Sequence, residues 1–223
     1  MDIIKSIILG IIQGLTEFLP VSSSGHLVLA KHYLNFEMPS GVAFEIFLHL
    51  GSVLAVIIYF RKDIIELIIS LFKFKDKDAT HVNNRNTILY LLVATIVTGL
   101  FYFLFDDKIE GIFDASKPEN IYLVSILLAV TGLILFISDK ISTPETNKRL
   151  GIKKSALIGT AQAFALMPGI SRSGSTIAMG IFVGMKREDA AKFSFLLSLP
   201  AILGANIIKL NEFKNLSSSD MLL

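Results

Sequence analysis

The chain has 223 residues, 52% of them apolar and only 18% charged, with no cysteine and a net charge of +2; its mean hydropathy is +0.64. Soluble domains usually carry about 25% charge, so these values describe a membrane chain. They exclude disulfides, thiolate catalysis, Cys-ligated zinc and iron–sulfur clusters, and the charge is too small to argue for a nucleic-acid partner.

A lone Lys5 precedes the first apolar run and no small-residue cleavage site follows it, so no removable signal peptide is read there. The run from Ile3 to Leu19 is interrupted by Gln13, Thr16 and Glu17, then meets Pro20 and the small polar turn Ser22-Ser23-Ser24-Gly25. Irregular backbone at membrane depth survives only where protein or a watery cavity satisfies its polar groups, which predicts a re-entrant helix pair returning over Leu27 to Leu34. Full spans are predicted over Phe44 to Phe60, Thr87 to Phe105 and Asn120 to Ser138, each 17 to 19 residues long and so able to cross about 30 Å of hydrocarbon. Between the first two, Ile64 to Phe74 carries Glu66 and reads as a short interfacial or partly buried helix. A second interrupted stretch covers Ser155 to Val183, and Phe193 to Ile208 is the last span.

Loop charge orients these elements. Arg61, Lys62, Lys73, Lys75, Lys77 and Arg85 fall in 61–86, and Lys140, Lys148, Arg149, Lys153 and Lys154 fall in 139–154, so both segments are expected to be cytoplasmic. The acidic segment 106–119 between them is expected on the other side.

Sliding the chain on itself by 149 residues superposes Gln13 on Gln162, Ser22 on Ser171, Ser24 on Ser173, Gly25 on Gly174 and Phe44 on Phe193. The coincidence of both polar turns is the stronger part of the match. It predicts a single all-α polytopic membrane domain over 1–223 that holds an inverted-topology repeat, unit one about 1–105 and unit two about 150–223. Two re-entrant helix pairs would then meet at the midplane around one buried anion site. The hairpin Thr87 to Ser138 has no counterpart after Ile208. Ser217 to Asp220, ahead of Met221-Leu222-Leu223, reads as the cap of a further helix, so the second unit is expected to be truncated, with C-terminal spans missing.

The first turn gathers Gln13, Glu17, Ser22, Ser23, Ser24 and His26; the second reads Pro168-Gly169-Ile170-Ser171-Arg172-Ser173-Gly174-Ser175-Thr176. An arginine and a carboxylate at bilayer depth cost about 2.5 to 3.5 kcal/mol each on insertion scales and therefore want partners. Gln13 and Glu17, four apart, share a helix face that can look toward Arg172. An arginine fork among hydroxyls and free backbone amides is the chemistry of phosphate recognition, and the adjacent carboxylate and imidazole suggest transfer. His26 or Glu17 could activate Ser23 or a water, or protonate a leaving group, and Glu17 could instead hold a divalent metal. The plain alternatives are a structural Glu17–Arg172 pair, a His26 bonded to a turn carbonyl and serines that cap broken helices. Glu45 and His49 share a face of the next helix and could line the cavity, while His32 and His81 carry no assignment.

The strings EFLPVSSSGH and PGISRSGST resemble the two signature segments of the undecaprenyl pyrophosphate phosphatases of the bacitracin-resistance type. The likeness runs from Ile3 to Ala205. It implies a hydrolase of the bacterial plasma membrane that converts the lipid carrier diphosphate to the monophosphate and inorganic phosphate, at a site facing the extracytoplasmic side. That activity serves peptidoglycan synthesis, cell shape and antibiotic resistance. The resemblance implies Mg2+ or Ca2+ as cofactor, and a polyprenyl diphosphate as partner, with a homodimer left open. It carries the family's elements onto Gln13 and Glu17, onto Ser23 and His26 and onto Pro168 to Thr176; with the chemistry of the turns this gives Glu17, Ser23, His26 and Arg172 as catalytic, Gln13, Ser22, Ser24, Ser171, Ser173 and Thr176 as substrate contacts, and Glu17 as a candidate metal ligand. Gln13 stands where some members have a second carboxylate, and the resemblance leads one to expect that the family's final spans are missing from this chain.

A transporter or flippase for a polyprenyl phosphate is the rival reading, because inverted repeats with broken helices are also the architecture of carriers. The phosphatidic-acid type of membrane phosphatase shares Ser-Gly-His, but the histidine and aspartate its mechanism needs are absent from Ser173 to Gly184.

Overall fold

A computed structural model of the chain describes residues 3–34, 41–73, 77–112, 120–141 and 150–220. Among these the regular structure is entirely helical: α1 (Ile3–Phe18), α2 (Ser23–Tyr33), α3 (Gly41–Tyr59), α4 (Arg61–Phe72), α5 (Ala79–Ile112), α6 (Asn120–Ile141), α7 (Ile152–Phe164), α8 (Arg172–Phe182) and α9 (Arg187–Asp220).

The burial pattern is inverted relative to a water-soluble bundle. On α1 the buried positions are Leu9, Gln13 and Glu17, whereas Ile3, Ile4, Ile7, Ile11 and Leu15 face outward. Such a helix would be untenable in water and is natural in lipid, where apolar side chains need no shelter and polar ones turn inward. The windows Ala79–Phe105, Asn120–Ile141 and Arg187–Leu210 are long and apolar enough to cross a membrane, and Phe44–Tyr59 is a shorter apolar helix. The chain is a multi-pass membrane protein.

The sequence repeat is visible in the helices. Shifted by 149 residues, α2 falls onto α8 from first residue to last, α1 onto α7 and its following turn, and the Phe44–Tyr59 part of α3 onto the interior of α9. Within each half the broken pair packs together, α1 on α2 and α7 on α8, while α3 packs against α9 across the halves. α5 lies along α7, and α6 touches α8 and α2. Where apolar helices pack in lipid, small residues set how closely they approach. A Cβ at Gly159 would lie 2.5 Å from the Ala94 carbonyl oxygen of α5, and one at Gly180 would lie 2.8 Å from Ala190 Cβ of α9. Hydroxyls complete these seams: Thr98 Oγ1 donates to the Ala94 and Gly159 carbonyls, accepts from Gln162 Nε2 at 3.0 Å, and Ser155 donates to the Tyr90 carbonyl. The apolar core of Ala94, Ile158, Met185, Ala190, Phe193 and Leu197 sits beside this seam.

Several expectations need correction. The returning helix starts at Ser23, four residues before Leu27, so Ser23, Ser24, Gly25 and His26 form its first turn. The basic segment 61–86 is mostly helical, consisting of α4 and the start of α5. His81, left without a role, bonds Ser70 Oγ through Nδ1 at 2.9 Å and ties α5 to α4, with Asn84 donating to the same oxygen at 3.1 Å. α9 runs on through Ser217–Asp220, where a new helix was expected to be capped, and passes Pro200 on the way. Residues 113–119, 142–149 and Met221–Leu223, on which parts of the loop-charge and truncation expectations fall, lie outside the described residues.

Candidate active site

Both broken helix pairs turn by the same device. Ser22 is the N-cap of α2 and its Oγ accepts the Gly25 N–H at 3.3 Å; Ser171 is the N-cap of α8 and its Oγ accepts the Gly174 N–H at 3.0 Å. Serine competes for backbone donors in this way, which is why it starts helices. Ser22 holds φ 69°, the one positive φ of a non-glycine among the described residues, and Gly169 holds φ +100°. The two turns touch. A Cβ at Gly25 would come within 3.1 Å of Gly169 Cα, and one at Gly174 within 3.0 Å of the Pro20 carbonyl oxygen. Ser173 Oγ faces the Glu17 and Leu19 carbonyls at 3.5 Å.

This closeness brings Arg172 onto Glu17. The guanidinium donates through Nη2 to Oε1, while Ser23 Oγ and Gln13 Nε2, the latter at 3.0 Å, donate to Oε2. The carboxylate is 9% exposed and the arginine side chain 18%. Two valences remain open beside the pair: Arg172 Nη1 and Gln13 Oε1 are both buried without a partner. Buried polar atoms are rarely left so. The first is a donor suited to an anionic oxygen; the second is an acceptor suited to a cation or a hydroxyl.

The structure gathers Gln13, Glu17, Ser23 and Arg172 into one cluster and places Ser22, Ser24, Ser171 and Ser173 around it, with Ser22 and Ser24 hydroxyls 3.3 Å apart and those of Ser171 and Ser173 3.2 Å apart. His26 stands differently from a simple Ser–His pair. Its Nδ1 faces the Ser22 carbonyl at 2.8 Å, and because a carbonyl only accepts, Nδ1 is the donor there and Nε2 is the ring nitrogen left for chemistry. Ser23 answers to Glu17 instead. Thr176, one turn along α8, bonds back through its hydroxyl to the Arg172 carbonyl at 2.8 Å and meets Ser194 Oγ at 2.6 Å. The amides are also partly committed: Ser175 N–H goes to the Ser171 carbonyl and Ser171 N–H to Thr131 Oγ1 at 3.1 Å. Of the first-turn amides of α8, Gly174 N–H goes to Ser171 Oγ, and those of Arg172 and Ser173 have no carbonyl within the helix.

Sequence reasoning missed Thr131 and Ser194. Thr131 is one hydroxyl in an apolar span and had no distinguishing signal beside Ser125; Ser194 superposes on Glu45 in the repeat, which was a signal that went unread. Glu45 does gather charge, binding Lys31 and, at 3.8 Å, Lys209.

Among the described residues no three acidic or histidine side chains converge as a metal cluster. Glu17 and Ser23 are joined through their oxygens, and the neighbouring Gln13 has its Oε1 buried without a partner; oxygen is the donor type that hard divalent cations take.

Residues 6–223 match the family model described as bacitracin resistance protein BacA. The chain belongs to that family. It is 43% identical over 232 residues to an undecaprenyl-diphosphatase of Methanobrevibacter smithii, taking in 100% of this chain and 81% of that one. It is 41% identical over 227 residues to undecaprenyl-diphosphatase 1 of Shouchella clausii, covering 100% and 78%, and 43% identical over 215 residues to an undecaprenyl-diphosphatase of Syntrophotalea carbinolica, covering 96% and 78%.

Proposed function

We propose that this chain hydrolyses undecaprenyl diphosphate to the monophosphate and inorganic phosphate, recycling the cell-wall lipid carrier and so conferring resistance to bacitracin. The observation that carries this reading is the Glu17–Arg172 contact between the two polar turns, with one guanidinium nitrogen left over. Arg172 and the first-turn amides of α8 hold the terminal phosphate, the anion being favoured there by the helix dipole as well. Glu17 accepts the Ser23 hydroxyl proton as Ser23 Oγ attacks the terminal phosphorus; the bond to the bridging oxygen breaks, the lipid monophosphate leaves and the phosphoryl group rests on Ser23. A water that gives its proton to His26 Nε2 then attacks that phosphorus, the Ser23–phosphorus bond breaks and inorganic phosphate leaves; where a water replaces Ser23 as the nucleophile, inorganic phosphate forms in one step. A divalent cation, Mg2+ or Ca2+, would be held by Glu17 and Gln13 Oε1 and would supply charge neutralisation on the diphosphate. The 149-residue correspondence of α1 and α2 with α7 and α8, with the basic segments on the cytoplasmic side, supports an inverted arrangement in the plasma membrane, and the site is read as open to the extracytoplasmic face.

The test is phosphate release from a polyprenyl diphosphate by the purified chain in lipid vesicles with magnesium. Release is expected, and His26→Ala is expected to slow it by about 10² to 10⁴, the usual range for a positioned acid or base. Transfer of intact diphosphate between leaflets without release would replace the phosphatase by a flippase.

A further inference from the structure

α6 lies in the hairpin that the second half of the repeat does not match among the described residues, yet both polar turns rest on it. The Gly25 turn meets it at Leu128, whose Cδ2 would be 2.9 Å from an added Cβ. The Gly169 turn meets it at Val124 and Leu127, where an added Cβ would lie 2.6 Å from the Val124 carbonyl oxygen and 2.8 Å from Leu127 Cβ. One helical turn on from this strip stands Thr131, 4% exposed. Its hydroxyl donates to the Gly169 carbonyl at 2.9 Å and accepts the Ser171 N–H at 3.1 Å. A hydroxyl has one proton to give and lone pairs to receive, so the one side chain satisfies a carbonyl and an amide two residues apart.

Those two groups flank the step that sets Arg172. Gly169 supplies the positive φ of the turn and Ser171 is the N-cap from which α8, and Arg172 as its first residue, departs. Both are buried, so neither finds water if the threonine hydroxyl is lost, and the turn must re-form to give them partners.

We infer that Thr131 is the positioning residue of the site: by pinning the Gly169 carbonyl and the Ser171 amide to α6, its hydroxyl fixes where the Arg172 guanidinium sits relative to Glu17 and to the diphosphate. The inference rests on the phosphatase reading for its activity readout, and it gives α6 a part in the chemistry through the turn it holds. A misplacement near 1 Å costs about 100-fold in rate.

Four proteins test it: wild type, Thr131→Val, which keeps shape and removes the hydroxyl, Thr131→Ser, which keeps the hydroxyl, and Ser125→Ala, which removes a hydroxyl of α6 bonded only to the Ile121 carbonyl. Each is measured for kcat and KM on polyprenyl diphosphate at a temperature where all are folded, and for the rise in unfolding midpoint caused by inorganic diphosphate alone. Thr131→Val is expected to lose about 100-fold in kcat and to lose the diphosphate-induced rise; Thr131→Ser and Ser125→Ala are expected to stay within about threefold of wild type on both, well inside that margin. A folded Thr131→Val with wild-type kcat and wild-type stabilisation overturns the inference and leaves the phosphatase standing, as does a Thr131→Ser as impaired as the valine. If no protein releases phosphate but diphosphate stabilises only those with the hydroxyl, the hydrolase reading fails and the positioning role survives. A wild type that neither releases phosphate nor responds to diphosphate refutes both.

Discussion

Replacing Arg172 by methionine, alone and together with Glu17→Gln, separates the structural from the chemical role of the pair. In the single variant Glu17 keeps the Gln13 and Ser23 donors but loses its cation while remaining 9% exposed. Removing one partner of a buried pair typically costs about 3 to 5 kcal/mol, whereas neutralising both with side chains of similar volume is often close to neutral. The double variant should therefore recover most of the stability that the single one loses. Activity should not recover, because the double variant lacks the carboxylate that takes the Ser23 proton and also the charged hydrogen bond to phosphate, the latter alone worth about 1.5 to 3 kcal/mol, or roughly 10- to 150-fold in rate. Denaturant or thermal unfolding in micelles gives the first quantity and phosphate release the second. A double variant that is both as stable and as fast as wild type would show that the contact merely neutralises charge, and the site would have to be sought elsewhere.

Two further outcomes follow from the geometry. Gly159→Ala would normally strengthen a helix by about 1 kcal/mol, but here the new methyl meets the Ala94 backbone at 2.5 to 3.0 Å, so a lower unfolding midpoint is expected and a higher one would mean that α5 and α7 are free to separate. Gln13→Glu places a second carboxylate beside Glu17 and replaces an amide donor by an acceptor, so half-maximal phosphate release should need less magnesium than in wild type; an unchanged requirement would detach Gln13 from the metal.

The all-helical class, the two broken pairs and the meeting of Glu17 with Arg172 were legible because each leaves a compositional scar: a carboxylate or an arginine inside an apolar stretch, beside clustered serines and a glycine. The 149-residue repeat then placed the two turns together without any contact information. Helix boundaries were less legible. Ser23 to His26 looked like a loop because serine and glycine are poor helix formers, whereas Ser22 caps the helix one residue earlier and absorbs them into its first turn. Orientation within the site was not legible at all. Nothing in the order Ser23-Ser24-Gly25-His26 says that the imidazole bonds back to the Ser22 carbonyl while the Ser23 hydroxyl reaches across to α1. Thr131 was hidden for another reason: hydroxyls in apolar helices commonly bond their own backbone, as Ser125 and Thr95 do, and only the neighbouring turn distinguishes the one that does not.

Glu17 and its arginine are separated by 155 positions of chain. At translation rates of about 5 to 20 residues per second, the carboxylate leaves the ribosome roughly 8 to 30 seconds before its counter-ion exists. During that interval α1 must wait protonated, stay at the headgroup level, or be chaperoned by the insertion machinery, since an unpaired charge has no place among acyl chains. Biogenesis of this protein is thus obliged to finish the second broken pair before the first can settle, and the last of the two turns to be synthesised is the one that closes both.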